Sequence, residues 1–443
     1  MTFHSFRRLI GRFLPQAIKN QYHRVQAIVA CIFFGFPGRK LIVIGVTGTN
    51  GKTTTTQFIA RILEYASKKV AVASTINFQI GGKKWDNTSK FTTLSAWQLE
   101  KFLREAVTAG CKYAVIETSS HALDQQRVWG IPYAIAVMTN VTREHLDYHH
   151  TMAEYRRVKR QLFLRAKQAV INLDMTDPTY FCPDNKKRAL FYSVKEQGAH
   201  LLAENIELDF KGTSFAVDNT QFRLQMPGLF NIENALAALG VARLLSIDFG
   251  VASGALANIT GVPGRMELVP NTRDVDIIID YAVTPDAFEK LYASILPLKI
   301  PGTKIIHVFG ACGERDRGKR PLLGEIASGY ADIVILTNED PYYEDPERIL
   351  DEIEQGVIKK KSILPADGKN SFLRIFDRRS AIHQALALAE IGDIVLITGK
   401  GAESSIAIGD QRVPWNEKQV IEEELSKIAK GYLGKNTDEQ ECQ

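Results

Sequence analysis

No two cysteines in this chain are spaced C-x-x-C. The five that exist, Cys31, Cys111, Cys182, Cys312 and Cys442, are scattered and odd in number. That pattern excludes a disulfide framework and a cysteine zinc site, and it fits a reducing cytoplasm. Low-complexity tracts and internal repeats are missing too, which excludes fibrous and solenoid architectures. Near the N-terminus "VQAIVACIFFGF" is apolar over only about a dozen residues, whereas a bilayer span needs roughly 20. Acidic residues are absent from the first 40 positions, which hold seven Lys or Arg. Since the whole chain carries only +5, the remainder is slightly acidic, and a nucleic-acid partner is not expected.

What is there reads as a multidomain globular protein: 443 residues, 45% hydrophobic and 24% charged, long enough for two or three domains. Residues 1–40 form a basic amphipathic arm, with Phe3, Phe6, Leu9, Ile10, Phe13 and Leu14 at helical spacing and Arg7, Arg8 and Arg12 between them. A helix packed on the protein's own surface is expected, with peripheral membrane contact through residues 1–36 as the alternative. From residue 41 onward, strand, turn and helix alternate. The buried strands are "KLIVIGV", "KVAVAST", "YAVIE", "AIAVMTN" and "AVINLD", and "ELDFKGTSFAVDNTQFRLQMPG" suggests a small antiparallel sheet. The Gly/Pro cluster "GVPGR" (261–265) marks a boundary, and a second series follows: "VDIIIDY", "KIIHVFG", "DIVILTN", "FLRIFD" and "GDIVLITG". The expected fold is α/β: a P-loop central domain with a mainly parallel sheet (41–262), then a Rossmann-like α/β domain (263–435), then a disordered tail (436–443).

Chemistry concentrates at a few places. In "GVTGTNGKTTTT" the glycines let backbone N–H groups face phosphate oxygens. Lys52 can reach the β- and γ-phosphates, and the Thr53 hydroxyl can ligate Mg²⁺ at a helix N-terminus. The strict G-x-x-x-x-G-K-T pattern asks for glycine at Val46, so the loop is a variant. Glu117 ends a buried strand beside this loop, where it either holds Mg²⁺ or caps the strand. His145, Asp147, His149 and His150 crowd one segment, and Lys159 follows on a helix. Read alone, these are surface histidines and a salt-bridged lysine as readily as ligands.

Taken together, "GVTGTNGKTTT", "ETSSHALDQQRV", "TNVTREHLDYHHTMAEYRRVKRQLF", "MPGLFNIENALAA", "GVPGRMELV", "FGACGERDRGKRPLLGEIA" and "ITGKGAE" resemble the Mur ligases in content and order. The likeness is greatest to their tripeptide-synthetase (MurE-like) branch, and it covers residue 41 to about 425. The resemblance implies an ATP- and Mg²⁺-dependent ligase that activates a peptide carboxylate as an acyl phosphate and joins it to an amino acid in peptidoglycan synthesis. It implies ATP contacts from Gly48, Thr49, Asn50, Gly51, Lys52, Thr53 and Thr54 in the loop, Asn231 and Asn234 at the adenine, Arg265 at the phosphates and Asp280 at the ribose. Two Mg²⁺ ions are implied, one on Thr53 and one on Glu117, His145 and a CO₂-derived carbamate of Lys159. The acceptor would meet Thr92, Thr93, Ser119, Gln125 and Arg127, and the incoming amino acid Arg315, Glu339, Asp340, Tyr342, Gly399 and Glu403.

The sequence also departs from that family. Only forty residues precede the loop where the family has a UDP-gripping domain, so a missing UDP domain is expected. The family's D-N-P-R, which selects meso-diaminopimelate, reads Glu339, Asp340, Pro341, Tyr342; the arginine clamp is gone, and two carboxylates suggest a basic amino-acid side chain. Val283 and Ala402 stand where the family has histidines, and Leu94 where it has proline. The alternatives are a family member with a non-UDP acceptor (a lipid-linked muramyl peptide, or a folate-like or cyanophycin-like polymer) and a catalytically silent ATP-binding scaffold.

Overall fold

The computed structural model describes residues 15–89, 91–182, 188–361 and 371–440. The helical spacing expected from Phe3 to Leu14 lies outside the described residues. A single helix, Gln16–Phe34, precedes the first strand and ends on Gly35 in the left-handed region. It turns Ala27, Ala30 and Cys31 inward, against the helix Ala96–Thr108.

The first body is built on nine strands: β1 (Ile42–Thr47), β2 (Val70–Ala73), β3 (Asn77–Ile80), β4 (Lys83–Asp86), β5 (Tyr113–Glu117), β6 (Tyr133–Met138), β7 (Gln168–Asn172), β8 (Ala189–Ser193) and β9 (Leu201–Leu202). Their order is β4-β3-β2-β5-β1-β6-β7-β8-β9, parallel except for the β2–β3–β4 meander. Strand β1 shows why a continuous aliphatic run is needed. Ile44 and Val46 pack into one core with Phe58, Ile62 and Leu236, while Val43 joins Leu99, Phe102 and Leu162 on the other face. The small sheet β10 (Glu204–Asp209), β11 (Gly212–Val217) and β12 (Thr220–Leu224) is antiparallel, as its alternation predicts.

The second body contains β13 (Glu267–Val269), β14 (Asp276–Asp280), β15 (Ile305–Phe309), β16 (Ile333–Leu336), β17 (Ser371–Arg374) and β18 (Ile394–Thr398), ordered β13-β14-β18-β15-β16-β17. Only β13 runs antiparallel. A hairpin of β19 (Ser405–Ile408) and β20 (Gln411–Pro414) follows. The last helix runs Glu417–Gln440. The tail expected to be irregular from 436 is therefore helical to Gln440, since no proline or further glycine interrupts the chain after Gly434.

The helix Lys52–Tyr65 springs from the C-terminal end of β1 and leads to β2, whereas the chain leaving β5 crosses to β6 on the other side of β1. The carboxyl ends of β1, β5 and β6 therefore open a crevice, the place where open α/β sheets hold ligands.

Candidate active site

Three chain segments meet in that crevice. After β1, Gly51 (φ 81°) caps the helix that begins at Lys52. A side chain there would meet the Asn234 amide, whose Oδ1 lies 2.3 Å from a Cβ built on Gly51, so the loop and the helix Leu229–Leu244 interlock only with glycine. Lys52 Nζ donates to the Thr49 carbonyl at 2.8 Å. After β6, the Asn140 side chain accepts from Asn50 N at 2.9 Å. At the end of β5, Glu117 is fully buried; its Oε2 accepts from the Thr75 hydroxyl at 2.6 Å, and the Thr53 hydroxyl also faces the carboxylate. Burial pushes the Glu117 carboxyl up, and the Lys52 charge works against that.

Lys159 arrives from the helix Met152–Arg165, whose Tyr155, Val158, Leu162 and Phe163 are buried with it. Its Nζ donates to the Gly48 carbonyl at 2.7 Å and lies 4.6 Å from the Tyr155 ring centroid. No carboxylate pairs with it among the described residues. Burial, then repulsion from Lys52, holds its amine well below the usual lysine range. His145 caps a short helix in the left-handed region at φ 57°, with its ring 4.8 Å from His121 and 6.1 Å from Tyr155. Burial lowers its basicity, as do the charges of Lys52 and Lys159. His121 is pushed down to about 3 and His149 to about 4, both chiefly by burial.

A cavity of about 270 Å³ joins the loop and His145 to the second body, while Glu117 and Lys159 are buried behind its lining. Its lining includes Thr49, Asn50, Gly51, Lys52, Thr53, Thr54 and His145 from the first, and Arg265, Asp280, Arg315, Asp340, Tyr342 and Glu403 from the second. Contacts across the cleft hold the two together. Asn50 Nδ2 donates to Asp286 at 2.9 Å, Arg265 Nη2 reaches the Thr53 hydroxyl at 3.4 Å, and Lys319 donates to Glu144 at 3.1 Å. Asp286 is carried in place by Thr284, which caps the helix Pro285–Ile295. Asp280 accepts from Met266 N at 2.8 Å.

Asn234 lines the cavity, and Asn231 does not. Asn231 sits behind it, bonded to the Pro227 carbonyl at 2.7 Å. Thr92 lines the cavity, but Thr93 is buried, donating to the Glu117 carbonyl at 2.8 Å and accepting from Ser119 N. Ser119 caps the short helix Ser120–Asp124. Arg127 donates through Nη1 to the Thr93 and Leu94 carbonyls while its buried Nε makes no hydrogen bond among the described residues, and the Gln125 amide donates to the Tyr148 hydroxyl.

At the far end, Arg315 and Arg412 lie 5.9 and 5.6 Å from the Tyr342 ring centroid. Asp340 accepts from Lys400 at 3.0 Å and from Ala407 N at 2.6 Å. Lys400 also donates to Glu403 at 2.5 Å. Glu339 is buried against Cys312, whose thiol donates to it at 2.9 Å, and its other oxygen crowds Gly399. Burial pushes the Glu339 carboxyl up. Of the pair expected to receive a basic side chain, Asp340 is therefore already paired with Lys400 and Glu339 is buried on the Cys312 thiol, and neither Glu339 nor Gly399 reaches the cavity. Glu144, Lys319, Asp286, Tyr155 and Lys400 escape the sequence reading. All but Asp286 lie inside the quoted motifs, yet nothing in their spacing reveals their partners.

Two family models match the chain: the Mur ligase middle domain over residues 46–242 and the Mur ligase glutamate ligase domain over 264–401. UDP-N-acetylmuramyl-tripeptide synthetase of Roseiflexus sp. (strain RS-1) is 40% identical over 96% of this chain and 86% of that protein. The UDP-N-acetylmuramoyl-L-alanyl-D-glutamate–2,6-diaminopimelate ligase of Caldanaerobacter subterraneus subsp. tengcongensis is 39% identical over 91% of this chain and 82% of that protein. Among solved structures, a ligase of the latter name superposes with a TM-score of 0.60 at 32% identity, covering 88% of this chain and 79% of that one. Mycobacterium tuberculosis folylpolyglutamate synthase shares the fold at a TM-score of 0.68 and 17% identity, covering 85% of this chain and 92% of that one. A P-loop body and a second α/β body closing on one cavity, with both family models in register, place the chain in the Mur ligases, ATP-dependent ligases that form peptide bonds.

Proposed function

We propose that this ligase activates a peptide carboxylate with ATP and joins it to an amino acid other than meso-diaminopimelate. The observation that carries this reading is the single cavity in which the phosphate loop, Arg265 and Asp280 face Arg315, Asp340, Tyr342 and Glu403. The acceptor carboxylate attacks the γ-phosphorus, ADP leaves, and an acyl phosphate results. The amine nitrogen then attacks the acyl carbon, phosphate leaves and the amine proton is lost. Lys52 and Arg265 offset the charge of two anions brought together. Tyr342 presents a phenol where a guanidinium would clamp a distal carboxylate, so a second carboxylate on the amino acid loses its bidentate partner. Arg315 beside that ring is suited to the α-carboxylate.

Thr53 is suited to one Mg²⁺, and Glu117 with His145 to a second. The approach of Thr53 to the Glu117 carboxylate supports that fit, and so does the absence, among the described residues, of any carboxylate paired with buried Lys159. Carbamylation would turn Lys159 from a cation facing Lys52 into an anionic oxygen ligand. When bound, Mg²⁺ neutralises developing negative charge on the phosphates. Contacts to the acceptor come from Thr92 and the Ser119–Arg127 segment. The test is a screen of amino acids against UDP-linked and UDP-free muramyl peptides, read by phosphate release and product mass. Product only from diaminopimelate would overturn the amino-acid assignment, and phosphate release indifferent to every amine and acceptor would favour a silent scaffold.

A further inference from the structure

The helix Gln16–Phe34 is apolar on two opposite faces, and only one is covered. Ala27, Ala30 and Cys31 face inward and are buried. On the other side Ile18, Tyr22, Val25, Val29, Ile32 and Phe33 are each between 50% and 69% exposed. At 100° per residue these six fall within one stripe about 100° wide, centred opposite the buried residues. Lone exposed apolar side chains are ordinary, but a continuous stripe along about four turns needs a partner.

Charge and aromatic content point to what covers it. Arg24 on the flank of the helix and Arg39 and Lys40 just beyond its end are exposed, and residues 1–40 contain no carboxylate. Burial lowers the basicity of Arg165, and the nearby Arg24 charge lowers it further. Nearby acids are already occupied: Asp124 accepts from Asn20 and Tyr148, Glu105 lies 3.9 Å from Lys101, and Glu100 is buried. At the C-terminal end Phe33, Phe34 and Trp97 cluster with centroids 5.0 to 5.2 Å apart, the aromatic content that suits a lipid headgroup boundary. No described helix is long and apolar enough to cross a membrane, so this one would lie in the interface plane.

We propose that the outer face of Gln16–Phe34 docks on an anionic lipid bilayer. The docking is coupled to the site through the same helix. Gln16 donates to the Tyr148 hydroxyl at 2.8 Å and Asn20 to Asp124 at 2.9 Å, and Gln125 reaches that same hydroxyl. The bilayer then lies one helix thickness, about 10 Å, from the acceptor segment, a consequence that rests on the acceptor reading above, whereas the lipid binding does not.

The experiment is co-sedimentation of the full chain with vesicles of phosphatidylglycerol and phosphatidylcholine, against vesicles of phosphatidylcholine alone. Binding is expected to the anionic vesicles and to weaken with salt. Val25→Asp combined with Val29→Asp should lower partitioning at least about tenfold, and Arg24→Glu should lower it on anionic vesicles only. Both variants should melt like the parent and release phosphate normally with a water-soluble acceptor, which separates this proposal from the ligase assignment. The proposal falls if the parent stays in the supernatant or the Val25/Val29 variant sediments undiminished. It also falls if sedimentation velocity shows a lipid-indifferent dimer that this variant splits, because the stripe would then join two copies.

Discussion

The ion pair Glu144–Lys319 ties the first body to the second from inside the cleft, and its removal has a calculable effect. The side chains are 10% and 5% exposed at 3.1 Å. Burial pushes the Glu144 carboxyl up even with Lys319 beside it, so the pair is held in a poorly solvated place. Breaking a buried pair from one side costs about 3–5 kcal/mol, most of it for the stranded charge. Here the stranded Glu144 can escape by letting the domains part. Lys319→Met should therefore lower the closed-to-open ratio by about a hundredfold, the equivalent of ~3 kcal/mol, with little change in the melting of either body. Phosphate release at limiting ATP reads the effect as kcat/KM, and small-angle scattering reads the domain separation. Adding Glu144→Gln removes the stranded charge and should restore most of the loss. A single variant within about threefold of the parent, or a coupling energy under ~0.5 kcal/mol, refutes the argument. No rescue by Glu144→Gln would mean that Lys319 acts on the substrate directly.

Lys159→Ala should abolish amide formation while leaving the fold intact, and short carboxylates should restore part of it if a carbamate is the missing ligand; undiminished activity of the variant refutes the carbamate. Tyr342→Arg should raise product from meso-diaminopimelate relative to other amino acids by 10-fold or more, about 1.4 kcal/mol for a regained bidentate contact, measured by product mass in mixed-substrate assays; an unchanged ratio counts against Tyr342 as a selector. His307 is fully buried between the Tyr292 hydroxyl at 2.7 Å and the Thr398 hydroxyl at 2.9 Å, and burial pushes it down to about 3. Its folded pKa is depressed, so its contribution is intact above about pH 6.5 and is lost as the pH falls toward 3. Between pH 6.5 and 5 that loss is ~2 kcal/mol, and denaturant midpoints for the parent and His307→Gln should converge over that range; parallel curves would contradict it.

What could be foreseen from the sequence separates cleanly by physical cause. Strands β1, β2, β5, β6, β7, β14, β15, β16 and β18 are legible because a parallel strand covered on both faces must be aliphatic throughout, and that pattern is local; β17 at the sheet edge is legible only from the apolar run "FLRIF". Strands β3 and β4 are not, because "NFQI" and "KKWD" lie on a sheet edge where β4 is wholly exposed and no apolar period is required. The loop residues Gly51, Lys52 and Thr53 are legible for the same local reason: one turn must place glycine, cation and hydroxyl at fixed offsets. The partners of Asp340 and Glu339 are not, since Lys400 lies sixty positions away and only the fold shows that it neutralises the first. That is why a two-carboxylate pocket read along the chain suggests a basic ligand, whereas the folded pocket offers an arginine and a phenol, with Lys400 buried behind it between Asp340 and Glu403. Selectivity here follows from charges after pairing, so Lys400→Met is the change that would create the acidic pocket the linear sequence implies. It should shift the amino-acid preference toward diamines in the same mixed-substrate assay, and a preference unmoved by it would place the selecting contact at Arg315 and Tyr342 alone.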